Sequence, residues 1–311
     1  MVKHLLVLLH GVFVPVAGRG GIFRLAVAGR RRRGLRPGAT VALGAGLFLG
    51  TGVGIQAAGP AVLLSYIVAG ILVIFVMQML GEMAAARPAS GSFATYGRLA
   101  FGDWAGFSLG WLYWFMMIMI MAVEITGASA IVAAWFGISP WIPALVAIVA
   151  FTVINFSAVK NFGEFEFWFA GIKVTAIIIF LAIGTAYVFG LWPDKSTDFS
   201  NLTSHGGFLP FGALGITAAI VTVIFSMTGA EVATIAAAES QDPERAVARA
   251  ANSVIMRIAV FFVGSVFLIT TIIPWDSLSS DDGHHTSPFV AAFTEMGIPY
   301  ADHIMNAVVL T

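Results

Sequence analysis

The chain has 311 residues, of which 59% are hydrophobic and only 10% charged; its formal net charge is zero and its mean hydropathy is +0.93. Soluble domains carry about 25% charge, so so much apolar surface excludes a single soluble core and requires lipid as solvent. Zero net charge gives no footing for nucleic acid as a partner, and the absence of cysteine excludes disulfides, Cys-ligated zinc and thiol catalysis.

Residues 1–36 are atypical. Lys3 followed by the apolar stretch Leu5–Val16 has the layout of a secretory signal. A polytopic membrane protein seldom needs one, so a wrongly assigned start or a shifted reading frame is the preferred reading, ahead of a membrane domain over 37–311. The Arg30–Arg33 run reads as a topology anchor rather than a nucleic-acid patch.

Runs of roughly 20 apolar residues cross the hydrocarbon as helices. Span one is predicted over Val41–Ala58, short and interrupted by Gly44, Gly46, Gly50, Gly52 and Gly54. Spans two to seven follow at Ala61–Leu80, Phe107–Ala130, Trp141–Phe156, Phe167–Phe189, Phe211–Ala236 and Val254–Ile273. An eighth begins near His303 and reaches the final residue, Thr311. Gly59-Pro60 and Pro140 break the chain between runs, and Trp104, Trp111, Trp141, Trp168 and Trp275 mark run ends as an interfacial belt does.

With the Arg30–Arg33 run inside, Arg87, Arg98, Lys160, Arg245, Arg249 and Arg257 also fall inside. Lys195 falls outside with Asp194, Asp198, Asp276, Asp281 and Asp282. The pattern predicts an inner-membrane, multi-pass protein with a cytoplasmic N-terminus.

Ionisable residues within spans are functional candidates. Three stand out: Glu124 in span three, Lys173 in span five and Glu231 in span six. Two also have a plain reading: Lys173 can snorkel to an interface, and Glu124 can be a neutral buried acid bonded to a neighbour. Glu231 stands beside the span-six interruption, where its carboxylate can switch protonation. No His pair has metal spacing within a helix. Intramembrane proteolysis lacks its residues too: Ala89–Ser92 lies in a loop with no in-span His, and no paired in-span Asp exists. An enzyme is therefore not expected.

Two spans carry small and polar residues in mid-membrane: Leu43–Phe48 in span one and Phe225–Glu231 in span six. A helix broken there frees backbone N–H groups for a carboxylate and carbonyls for a cation or amine. Corresponding breaks in two halves of a transporter mark the substrate site, and spans one and six stand five apart, as an inverted five-plus-five repeat demands. The alternative is close helix packing through small residues.

The stretch from Gly46 to Thr311 resembles amino-acid permeases of the amino acid–polyamine–organocation superfamily, in the bacterial branch of gamma-aminobutyrate, aromatic, asparagine and D-serine/alanine/glycine carriers. The matching strings include GLFLGTGVGIQAAGPAVLLSYIVAG, LGEMAAARPASGSFATYGRLAFG, GWLYWFM, NFGEFEFWFAGIKV, FSMTGAEVATIAAAESQDPERAVARAANSVIMRI and SPFVAAFTEMGIPYADHIMNAVVLT. The resemblance implies an all-α membrane fold of twelve spans, with broken helices in a five-plus-five inverted repeat like that of the leucine transporter. It also implies import of an amino acid by proton symport, without a cofactor. By the same resemblance Gly44, Ala45 and Gly46 fall on the carboxylate-binding break, Phe225 on an aromatic gate, and Ser226, Thr228 and Gly229 on the amine-binding strand. Lys173 falls on a span-five lysine tied to proton coupling, and Glu231 and Glu239 on two acidic positions. Glu239 is also read as a cap or a partner of Arg245.

Two departures from the pattern stand out. Span one, Ala42–Phe48, is four residues shorter than the family's Ala-Leu-Gly-Gly-x-Ile-Gly-x-Gly-Leu-Phe, about 6 Å of helix, so Gly44 aligns with either of two family glycines. The chain also stops at the start of span eight, giving a first repeat over 41–189 and an incomplete second over 211–311. The expectation is that this chain alone transports poorly or not at all. A non-transporting fragment, or a subunit needing another chain, is the alternative to an amino-acid/proton symporter.

Overall fold

The computed structural model describes residues 46–87, 89, 91–156, 162–193, 195–229, 231, 253–279 and 287–311. The expectations placed on residues 1–45, Lys160, Asp194, Glu239, Arg245, Arg249, Asp281, Asp282, His284 and His285 lie outside them. The architecture is helical, with no strand among the described residues.

Span one is a π-helical turn, Gly46–Gly50, running into α1 (Thr51–Ala58). The predicted break follows: Gly59 (φ 62°, ψ −146°) and the 3-10 turn Gly59–Ala61 redirect the chain into α2 (Val62–Ala86). A short α3 (Ser92–Phe101) leads into α4 (Asp103–Phe136), which ends at the left-handed Gly137. Then come α5 (Trp141–Phe156), α6 (Phe162–Val188), α7 (Gly212–Ser226), α8 (Gly264–Ile272, entered through a π-helical turn Ile258–Val263), α9 (Pro288–Glu295) and α10 (Ala301–Leu310).

Four helical stretches are long and apolar enough to cross a membrane: Gly46–Ala86, Asp103–Phe136, Trp168–Val188 and Ser253–Ile272. Three apolar helices are shorter: Trp141–Ile154, Gly212–Ser226 and Ala301–Leu310. The stop of α7 at Ser226 has a visible cause. The Met227 N–H reaches both Val223 O and Ile224 O, and the Thr228 N–H turns back to Phe225 O. The last turn has therefore tightened to i→i+3 bonding before the chain leaves the helix.

α7 lies between α1 and α2, which both pack on it; α2 also touches the Ile258–Val263 turn, and α6 packs on α8. On α2 the buried stripe is Val62, Tyr66, Ala69, Gly70, Met77, Leu80 and Ala84, at helical spacing. The opposite face, with Leu64, Ile67, Val68, Ile71, Leu72 and Phe75, is exposed. Both faces are apolar because one meets protein and the other lipid, so the helices are held by close packing and hydrogen bonds rather than by hydrophobic exclusion. A cluster of Phe48, Phe180, Phe289 and Phe293, with ring centroids 4.8–5.3 Å apart, ties span one, α6 and α9 together.

The end of the bundle that the charge pattern assigns to the outside is laced by side-chain hydrogen bonds. Asn201 Nδ2 donates to Thr271 O at 2.9 Å and to Ile272 O at 3.2 Å, capping carbonyls at the end of α8. Gln56 Nε2 donates to Leu278 O (2.8 Å) and Trp275 Nε1 to His205 O (2.8 Å), while His205 Nδ1 lies 2.9 Å from Asp276 Oδ2. Trp104 and Trp141 are exposed at the starts of α4 and α5, and Trp111 and Trp168 are exposed about two turns inside α4 and α6, whereas Trp275 is half-buried against the Phe211 ring at 5.2 Å. Trp275 is thus a packing residue, because the loop bearing His205 folds over it. In the same region the Ser200 backbone N–H, 2.8 Å from Asp198 Oδ1, together with the Ser200 hydroxyl holds the Asp198 carboxyl below the usual carboxylate range.

Candidate functional site

The two segments that carry the predicted interruptions meet, although the described part of the span-one segment, from Gly46, is a π-helical turn continuous with α1 and only the span-six segment shows a break. Gly46 lies so close to the end of α7 that a Cβ built on it would stand 2.8 Å from Ser226 Cα and 3.2 Å from Ser226 O. Only a residue without a side chain lets the two backbones approach this far. On the span-six side the chain leaves α7 through Gly229 at φ 105°, a left-handed conformation that also favours glycine.

A small cavity of about 30 Å³ opens where they meet, lined by Gly46, Ile120, Val123, Glu124, Phe225, Ser226 and Thr228. Two walls are the expected breaks and the third is α4. Ile120, Val123 and Glu124 stand at i, i+3 and i+4 and so share one face of that helix. This volume holds one or two waters, so admission of even the smallest amino acid requires the walls to part. The larger cavity, about 330 Å³, lies among loop and helix-end residues such as Tyr187, Lys195, Asp198 and Glu295, and none of the predicted site residues line it.

Glu231 is buried, and its Oε2 accepts the Gly229 N–H at 2.9 Å. A backbone donor freed by the helix break is therefore held by a carboxylate of the chain itself. The other oxygen, Oε1, has no hydrogen-bond partner among the described residues, an expensive condition for a buried acceptor. The carboxylate also interacts electrostatically with Tyr113 on α4. Lys173, half-buried on α6, does not line the cavity but is attracted electrostatically by Glu124, which does line it and is exposed rather than a buried acid.

The structure thus brings Gly46, Glu124, Phe225, Ser226 and Thr228 around one space and places Gly229 and Glu231 beside it. Lys173 is linked to it only through Glu124. Gly44 and Ala45 lie outside the described residues. Sequence reasoning missed two kinds of residue. The lining residues Ile120 and Val123 carry no signal of their own in the uniformly apolar stretch Phe115–Val123. Tyr66 and Thr51, whose hydroxyls are 2.9 Å apart, read as ordinary span residues, yet Tyr66 OH also lies 3.5 Å from Ser226 Oγ. Ser287, a lone loop serine, donates to Phe48 O at 2.8 Å and so reaches the π-helical turn of span one.

Residues 40–311 match the family described as Amino acid permease. The chain is 56% identical over 270 residues to the aromatic amino acid transport protein AroP of Corynebacterium glutamicum, covering 86% of this chain and 58% of that protein. It is 46% identical over 271 residues to the gamma-aminobutyric acid permease of Bacillus subtilis (86% and 57%), and 43% identical over 270 residues to that of Escherichia coli K12 (86% and 57%). The chain therefore spans less than three-fifths of the length of these curated relatives.

Proposed function

This chain belongs to the amino acid permease family, and from that premise we propose that it forms the substrate-binding core of a secondary transporter that imports an amino acid by proton symport across the inner membrane, with its N-terminus cytoplasmic. The observation that carries the reading is the cavity at which Gly46, Phe225, Ser226 and Thr228 meet Glu124. It requires the five-plus-five inverted repeat, with the breaks of spans one and six in corresponding places.

In this reading the backbone around Gly44, Ala45 and Gly46 receives the substrate carboxylate. Ser226, Thr228 and Gly229 present backbone to its amine, and Phe225 closes over it. Glu231 holds the Gly229 N–H; taking up a proton weakens its hold and lets the break open. Glu124 and Lys173, which attract each other across α4 and α6, pass the coupling charge. Aromatic amino acids are the first substrate class to test. The 56%-identical relative is named for them, and Ile120, Val123 and Phe225 give the cavity apolar walls suited to a ring.

The test is uptake of radiolabelled phenylalanine and of gamma-aminobutyrate into proteoliposomes with imposed gradients. Saturable entry that accelerates when the outside is acidic and collapses with a protonophore supports the reading. Entry driven by a sodium gradient instead, or insensitive to both, refutes symport with protons.

A further inference from the structure

Tyr66 is fully buried on α2, and its hydroxyl reaches toward both interrupted helices: 2.9 Å to Thr51 Oγ1 on α1 and 3.5 Å to Ser226 Oγ at the end of α7. The three hydroxyls carry three protons. Thr51 donates its own to Leu47 O at 2.6 Å, and Ser226 donates its own to Val223 O at 2.7 Å. Tyr66 is left with one proton facing two acceptors. Distance decides between them, since 2.9 Å is a good hydrogen bond and 3.5 Å is at the limit of one.

We propose that the Tyr66 hydroxyl is a positioning group that sets the separation of span one from the break that ends α7, bonded firmly to span one and loosely to span six. The ring is fixed by packing, with the Phe262 ring 6.4 Å away, so the hydroxyl is a fixed point against which α1 and α7 are located. Ser226 is also where the backbone of Gly46 makes its close approach, so a shift of Ser226 relative to Tyr66 changes the width of the cavity directly. Motion of α7 toward Tyr66 would let the single proton pass from Thr51 to Ser226. The same three groups thereby offer two alternative bonding patterns and two break separations. This inference stands on the hydroxyl geometry alone and does not depend on what is transported.

The absence of native cysteine allows a direct measurement on the whole chain in lipid nanodiscs. Spin labels on Val53→Cys of α1 and Val221→Cys of α7, both exposed, report the separation of the two helices by pulsed electron resonance. Tyr66→Phe keeps the ring and removes only the hydroxyl. Loss of one net hydrogen bond shifts a two-state population about fivefold, so the main distance loses occupancy to a second one by about that factor. Thr51→Val gives the same change, Thr51→Ser restores the original distribution, and combining Tyr66→Phe with Thr51→Val adds nothing further. A distribution unchanged by Tyr66→Phe, or additive effects in the double variant, overturns the proposal.

Discussion

The close approach at Gly46 makes a sharp demand on the protein. Carbon atoms in van der Waals contact sit about 3.5–4.0 Å apart, whereas a Cβ at position 46 would stand 2.8 Å from Ser226 Cα. Gly46→Ala therefore creates an overlap of roughly 0.7–1.2 Å against backbone, which has no rotamer through which to yield. The helices must part, and overpacking of this kind costs about 1–3 kcal/mol, equivalent to roughly 5- to 150-fold in any equilibrium that requires the breaks in contact. Gly50→Ala is the matched control. It lies one turn along the same stretch, but its Cβ would meet Ser226 Cβ at 3.6 Å, an ordinary contact. Thermal unfolding followed by the fluorescence of the 8 tryptophans, together with phenylalanine binding in nanodiscs, reads both effects. Gly46→Ala lowers stability and weakens binding, while Gly50→Ala leaves both within about 0.5 kcal/mol of the parent. Equal tolerance at the two positions would refute the claim that span one and span six touch through Gly46.

Other expectations follow from the same site. On the proposed symport reading, Glu231→Gln keeps an oxygen for the Gly229 N–H but cannot carry a proton, so binding and substrate exchange would survive while pH-driven accumulation would be lost; retained accumulation in proteoliposomes removes Glu231 from the coupling path. On the same reading, Lys173→Met leaves the exposed Glu124 without the positive charge that attracts it, and the pH-driven uptake rate falls by up to about fivefold, the scale of an exposed pair, whereas an unchanged rate points to a snorkelling lysine. Ser287→Ala removes its bond to Phe48 O and destabilises the loop-to-span-one contact by about 1 kcal/mol, visible as faster hydrogen exchange in both segments. Asp198, whose pKa is lowered in the folded loop by Ser200, contributes stability that is present above the unfolded value near 3.9 and is lost as pH falls through the folded one. Limited proteolysis of the 195–205 loop should accelerate modestly as pH falls into strong acid, and Asp198→Ala should remove that acid dependence while Asn201 and His205 still hold the loop.

The elements legible in the sequence are those that oppose the apolar background. Gly59-Pro60 announced the turn between α1 and α2, and the small polar stretch from Phe225 announced the end of α7 at Ser226. Hydropathy located the long helices but neither α3 nor α9, and it did not give the helices' faces. On α2, Ile67 and Val62 are equally apolar, yet one is exposed and the other buried. The same ambiguity hid Ile120 and Val123 as cavity lining, and it made Trp275 look like a belt residue rather than the partner of Phe211.

The sequence by itself determined the solvent, the approximate run of the long apolar helices, the interruption of span six and the family, because each is written in composition, spacing or a run of shared residues. Only the tertiary structure decided that span one meets that interruption at Gly46 and Ser226, that Glu231 turns back onto the Gly229 N–H, and that Tyr66 reaches both Thr51 and Ser226. The physical reason is the medium. Water sorts a soluble helix into polar and apolar faces that a sequence displays, whereas lipid is as apolar as a protein interior. Which face turns inward is therefore set by backbone approach at small residues and by a few buried hydrogen bonds, and both exist only once the helices are packed.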